Sequence, residues 1–119
     1  MTIAIRLGEQ RVFHAAMAGT SADNDSWADR KTRIVGRFGC SSLEVHERHV
    51  RDNPNFFTVF GLSSAEYAPF GGAVPIVVGG CVVGVLAVSG LESEEDHQIA
   101  VAALRAEAAH QESTQRSST

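Results

Sequence analysis

The chain is poor in the residues that mark special chemistry or special compartments. Its 119 residues include two cysteines, Cys40 and Cys81, without the spacing of a metal-ligand set. Two isolated thiols in a chain without an export signal are expected to be reduced and buried. The opening residues, MTIAIRL, lack the basic region and long apolar stretch of a signal peptide, which favours a cytoplasmic protein. The longest apolar run, Cys81 to Val88, has eight residues including a glycine. A membrane span needs about 20 residues, so no membrane partner is expected. Positive charge is scarce too: ten Lys and Arg face fourteen Asp and Glu, for a net charge of −4. That leaves no phosphate-neutralising surplus and argues against nucleic acid as the main partner.

Catalytic signatures are equally scarce. No G-x-G-x-x-G follows a strand, no Walker lysine exists, and neither G-x-S-x-G nor a Cys-His signature occurs. His46 and His49 stand three apart and would share a helix face, but no third ligand stands at a defined spacing. A surface pair is the expected reading, and no metal site is assigned. No internal repeat or linker divides the chain. An apolar fraction of 44% and a charged fraction of 20% are ordinary for a globular protein. One α+β domain is expected over residues 1–110, followed by a polar, disordered tail over 111–119.

Thr2 to Leu7 alternates, with Ile3, Ile5 and Leu7 on one face and Thr2, Ala4 and Arg6 on the other. After the turn at Gly8-Glu9-Gln10, Arg11 to Ala16 completes a β-hairpin. The chain begins almost inside this first strand, so a partner subunit or a preceding segment is expected to cover the sheet. Asp25 or Ser26 is the expected N-cap of a helix in which Trp27, Lys31, Ile34 and Phe38 share a face. Gly36 and Gly39 fall in or just after this pattern and suggest close packing or a bend before a second segment, Ser41 to His49. Val50 to Phe60 reads as an irregular loop around Asp52-Asn53-Pro54-Asn55. Ser63-Ser64-Ala65-Glu66 matches a capping box opening one or two helical turns.

Ala73 to Val78 and Cys81 to Val88 are apolar runs joined by Gly79-Gly80, a strong hairpin signal. The second is apolar on both faces and is expected at the centre of the sheet. Ser93 is expected to cap a final helix carrying His97, Val101, Leu104 and Ala108 along one stripe. The order is an antiparallel sheet of two hairpins flanked by helices, in two or three layers.

The densest chemistry lies in TSADNDSWADRK, Thr20 to Lys31: a hydroxyl, carboxylates, an amide, an indole and cations on a loop entering a helix. A turn alone does not require that mixture. A polar site or an interface at a helix N-terminus does. His97 is the second candidate, on the sheet-facing stripe next to Asp96. Neighbours on a helix point about 100° apart, so Asp96 is better placed to cap than to pair with the ring. Gly71-Gly72 and Ser89-Gly90 put flexible backbone at sheet ends, where a ligand can approach the main chain or an ordinary turn can form.

Three segments together, GTSADNDSWADRK with RFGCSS, GGAVPI, and VVGVLAVSGLESEEDH, resemble the haem-degrading-domain superfamily, in its uncharacterised branch. The resemblance spans roughly residues 2 to 107 and extends to glycolate-utilisation G-type proteins and an extracellular haem-binding protein. It implies a profilin-like sheet, assembly into homo-oligomers, and haem or a related small molecule as ligand. By position, the family's polar motif falls on Asn24, Asp25, Trp27, Arg30 and Lys31, and its late motif on Ser89, Gly90, Asp96 and His97. Family members usually start upstream with a further helical segment, and they commonly carry a His before Gly-Gly-Ala where this chain has Phe70. The expected ligand-binding set is Asn24, Asp25, Trp27, Arg30, Lys31, Gly71, Gly72, Asp96 and His97, in a module without assigned catalysis. The alternatives are a small hydrolase or lyase with His97 as base assisted by Asp96 or Asp25, and a non-catalytic assembly protein.

Overall fold

The computed structural model describes residues 1–117. Four antiparallel strands, β1 (Thr2–Leu7), β2 (Gln10–Ala16), β3 (Ala73–Val78) and β4 (Cys81–Ser89), form one sheet in the order β2-β1-β4-β3. The two hairpins therefore meet through β1 and β4, with Thr2 opposite Ser89 and Leu7 opposite Gly84. Gly84 is required there, because a Cβ would strike the Arg6 carbonyl and stand 2.8 Å from the Leu7 side chain.

Three layers result. Helix α1 (Ala22–Phe38) buries Ala28 and Val35 against Ala73, Val85 and Ala87 on one face of the sheet. Helix α4 (Ser93–Ser117) buries Ala100 against Val74, Leu86 and Val88 on the other, flanked by Ile3 and Ile5. Period-two alternation along β4 thus serves both faces, as a central strand of this composition should. On the outer side of α1, Ile34 joins Val45 and Phe56 in a second small core bordered by Phe38, Phe60 and Tyr67.

Several local expectations need correction. Helix α1 starts earlier than a cap at Asp25 or Ser26 would allow: Ser21 is the N-cap, and its N–H donates to Asn24 Oδ1 at 3.0 Å. Gly39 ends the helix at φ 74°, whereas Gly36 is not crowded at all: a Cβ there would meet nothing within 4 Å. After α2 (Ser42–Val45), residues His46–Val50 form a π-helical turn. The expected loop contains a short helix, α3 (Phe56–Phe60), held by Phe56 and Phe60 packing on Phe38. Ser63–Glu66 opens a single turn, the shorter of the two expected lengths, closed by the Glu66 and Tyr67 N–H groups donating to the Ser63 carbonyl. Ser93 does not cap α4; its hydroxyl oxygen accepts from the Gly71 N–H. Cys81 is exposed beside the β3–β4 turn, contrary to expectation. Cys40 is half-buried, and burial is the main cause pushing its thiol pKa up to about 11. The backbone of the expected tail is helical as far as Ser117, and residues 118 and 119 lie outside the described residues.

Candidate functional site

Lys31 is the only lysine in the sequence, and the fold buries it. From the middle of α1 it reaches across the end of β4, its Nζ donating to the Val88 carbonyl at 3.2 Å and to Asp96 Oδ2 at 3.0 Å. The two side chains are 5% and 1% exposed. Asp96 Oδ1 accepts from the Leu91 N–H at 3.0 Å, so both carboxylate oxygens are used. One ion pair therefore ties α1, β4 and the start of α4 together. Burial lowers the Lys31 pKa below its ordinary value, with the Asp96 charge opposing that shift.

Gly71 and Gly72 make this convergence possible. A Cβ on Gly71 would collide with the Ser93 carbonyl, and one on Gly72 with the Val88 carbonyl and, at 2.8 Å, with Lys31 Nζ. Gly72 also sits at φ 138°, where side chains are strained. Their space is taken by this chain's own atoms, so they act as packing glycines rather than as a ligand's approach to the main chain.

Above the ion pair lies an open cleft of about 370 Å³, within the range of small-molecule sites. Its lining joins an aromatic wall, Trp27 and Phe70, to a polar one that includes Asp23, Asn24, Ser89 and Ser93. The rings meet edge to face with centroids 6.1 Å apart, and the Arg30 guanidinium lies 4.0 Å from the Trp27 ring centre on a cation–π contact. Phe70 packs as well on His46, whose Nδ1 lies 3.1 Å from the Pro69 carbonyl oxygen.

Of the expected residues, Asn24, Trp27, Lys31 and Asp96 line this cleft, with Gly71 and Gly72 packed around its floor. Arg30 supports Trp27 from outside the lining. Asp25 turns away to His14, at 2.8 Å, a hydrogen bond that holds its carboxyl below the usual range. His97 does not line the cleft. Its Nδ1 is buried without a hydrogen-bond partner among the described residues, and burial lowers its pKa. Asp23, Phe70, Leu91 and Ser93 were not in the expected set. Asp23 lies inside the singled-out segment, but only the meeting of α1 with the β4–α4 connection selects it over Asp25. His46 and His49 rest on aromatic rings, and among the described residues no group of three His, Cys, Asp or Glu could hold a metal ion. No described helix is long and apolar enough to cross a membrane.

Residues 1–105 match the family of HbpS-like haem-degrading proteins. The chain is 46% identical over 105 residues to a UPF0303 protein of Streptomyces avermitilis, covering 87% of this chain and 64% of that protein. It thus spans just under two thirds of that relative's length. The crystal structure of the Ybr137w protein superposes with a TM-score of 0.81 at 35% identity, over 92% of this chain and 64% of that one. A crystal structure of a PduOC–haem complex superposes with a TM-score of 0.68 at 17% identity, over 83% of this chain and 72% of the other, and shares its fold. With the match running from the first strand into the final helix, this chain belongs to the HbpS-like family of haem-degrading proteins.

Proposed function

We propose that the chain is a cytoplasmic, homo-oligomeric ligand-binding module whose ligand occupies the cleft between α1, β4 and α4. The observation that carries this reading is the union of an aromatic wall, a row of hydrogen-bonding side chains and a rigid ion-pair floor in one open cavity. A flat apolar body suits Trp27 and Phe70, while its polar groups meet Asp23, Asn24, Ser89 and Ser93. Lys31 and Asp96 neutralise each other, which leaves Asp23, in the first turn of α1, as the remaining charged side chain of the lining. Neutral or cationic ligands are therefore favoured over anions. The apolar groove of about 700 Å³ between Ile3, Ile5, Ile76, Leu86 and Leu104 supports the oligomeric part of the reading.

Haem is the ligand class named by the family and by the PduOC complex. The lining contains no His, Cys or Met, and Lys31 is committed to Asp96, so the cleft does not fit ligation of haem iron. The reading therefore centres on a small planar molecule with hydrogen-bonding groups. The hydrolase or lyase alternative loses its assisting carboxylates, since Asp96 bonds Lys31 and Leu91 while Asp25 bonds His14.

Trp27 is the only tryptophan, so its fluorescence reports the cleft directly. A panel of small heteroaromatic compounds is titrated by Trp27 fluorescence and haem by absorbance, with wild type, Asn24→Ala and His97→Ala. Saturable quenching weakened by Asn24→Ala but not by His97→Ala is the expected result. A saturable Soret shift lost in His97→Ala would overturn it and move the site to His97.

A second reading has its own observation. Phe70 is 38% exposed beside Trp27 and its stacked Arg30, a set of residue types favoured at binding hot spots. If this patch joins subunits, Trp27→Ala dissociates the oligomer in a sizing experiment, whereas a ligand cleft leaves its size unchanged.

A further inference from the structure

A second cavity, of about 320 Å³, lies between the β1–β2 turn, the exposed flank of α1 and Tyr67, and shares no lining residue with the cleft. Arg6, Arg33 and Arg37 line it with a single acidic residue, Glu9, while Asp29 pairs with Arg6 from outside the lining. Such a concentration of positive charge in a chain of net charge −4 is local, and a concave surface focuses its field.

The arginines are positioned but not saturated. Arg6 donates to Asp29 at 3.3 Å, and Arg33 to the Glu66 carbonyl at 3.1 Å. Each guanidinium has five N–H donors, so most remain free for a ligand. The side chain of Arg37, one helical turn beyond Arg33, makes no hydrogen bond or ion pair among the described residues. Gly36 lies between them in the interior of α1, where glycine weakens a helix. Packing does not require it, because a Cβ there would meet nothing within 4 Å. Its missing side chain leaves the space between the two arginines open. Tyr67 stands at the other side, its N–H donating to the Ser63 carbonyl at 3.0 Å and its ring packed on the Ile34–Val45–Phe56 cluster.

We infer that this cavity binds a phosphate-bearing small molecule, its phosphate held by Arg33 and Arg37 with Arg6 at the side, and its adjoining ring against Tyr67. A phosphate monoester, with three terminal oxygens and a charge near −2, matches several converging guanidiniums better than a carboxylate of charge −1 does.

The test is a two-dimensional amide NMR titration of the full 119-residue chain with inorganic phosphate, phenyl phosphate and benzoate. Saturable shifts at Gly36 and Tyr67 are expected, strongest with phenyl phosphate and weakest with benzoate, with Trp27 fluorescence unchanged. Arg33→Gln and Arg37→Gln should each weaken phenyl phosphate by about tenfold, the loss of one charge-assisted contact. Gly36→Leu should abolish binding by filling the floor, and Gly36→Ala should raise the melting temperature, showing that the helix tolerates the position. Shifts that do not saturate, or that survive both arginine substitutions, would overturn the inference. So would benzoate binding as tightly as phenyl phosphate.

Discussion

From Val85 to Ser89 strand β4 is buried on both faces, whereas its first residues, Cys81, Val82 and Val83, are exposed although they are no less apolar. Val77 and Val78, paired with them across the hairpin, are exposed as well, Val78 at 63%. The difference lies in what crosses above and below. Helices α1 and α4 cover the second half of the strand and leave the first half bare. At the covered end the interior also contains Lys31 and Asp96, charged groups that persist there because they pair with each other and with the Val88 carbonyl and the Leu91 N–H. Apolar character therefore did not decide where the site lies; the crossing of two helices did.

Breaking the ion pair tests this contrast most severely. Lys31→Met leaves Asp96 as a buried, uncompensated charge and should cost about 3–5 kcal/mol in urea unfolding. The double substitution Lys31→Met with Asp96→Asn should recover much of that loss. If the single change costs under about 1 kcal/mol, water reaches this end and the contrast fails. Next comes Gly72→Ala, which adds a backbone strain of about 1–3 kcal/mol at φ 138° before any collision with the Val88 carbonyl. Melting curves of Gly72→Ala beside Gly79→Ala, a turn glycine at φ 58° with nothing within 4 Å of its Cβ, should show the larger loss at position 72.

A smaller effect is expected from pH. Burial depresses the His97 pKa from its ordinary value of about 6.5, so the folded state holds the ring neutral while the unfolded chain protonates it. Stability is then full above about pH 6.5 and falls as the pH drops below that value toward the folded pKa. Urea midpoints across this window should decline less steeply in His97→Gln than in wild type, and equal slopes would show that the ring is solvated. At the bare end, Val82→Thr and Val83→Thr, neither of which lines the apolar groove, should change stability by no more than about 0.5 kcal/mol. A loss well above that would mean that a partner covers this end in solution.

Much of this architecture was legible in local patterns. Both hairpins follow from alternation interrupted by glycine, and α4 from its apolar stripe behind a run of acids. The start of α1 was misplaced because the residue reaching back to Ser21 is Asn24, where the familiar capping box carries Glu or Gln. Helix α3 escaped notice because five residues are too few for periodicity, and its aromatics are held by α1 from outside the segment. Cys81 was misjudged by composition, since nothing in its own strand reveals that the covering helices stop short of it.

The site divides in the same way. Sequence alone determined that Thr20 to Lys31 carries unusual chemistry, that a helix begins there, and that glycines flank the neighbouring strands, because these depend on residues a few positions apart. Only the tertiary structure decided that Lys31 pairs with Asp96, 65 positions away, that Gly72 is needed to admit that pair, and that His97 lies outside the cleft. Those outcomes depend on the strand order β2-β1-β4-β3, which brings the start of α1 and the start of α4 to the same end of β4. No local propensity encodes that meeting; it comes from burying both faces of one sheet at once.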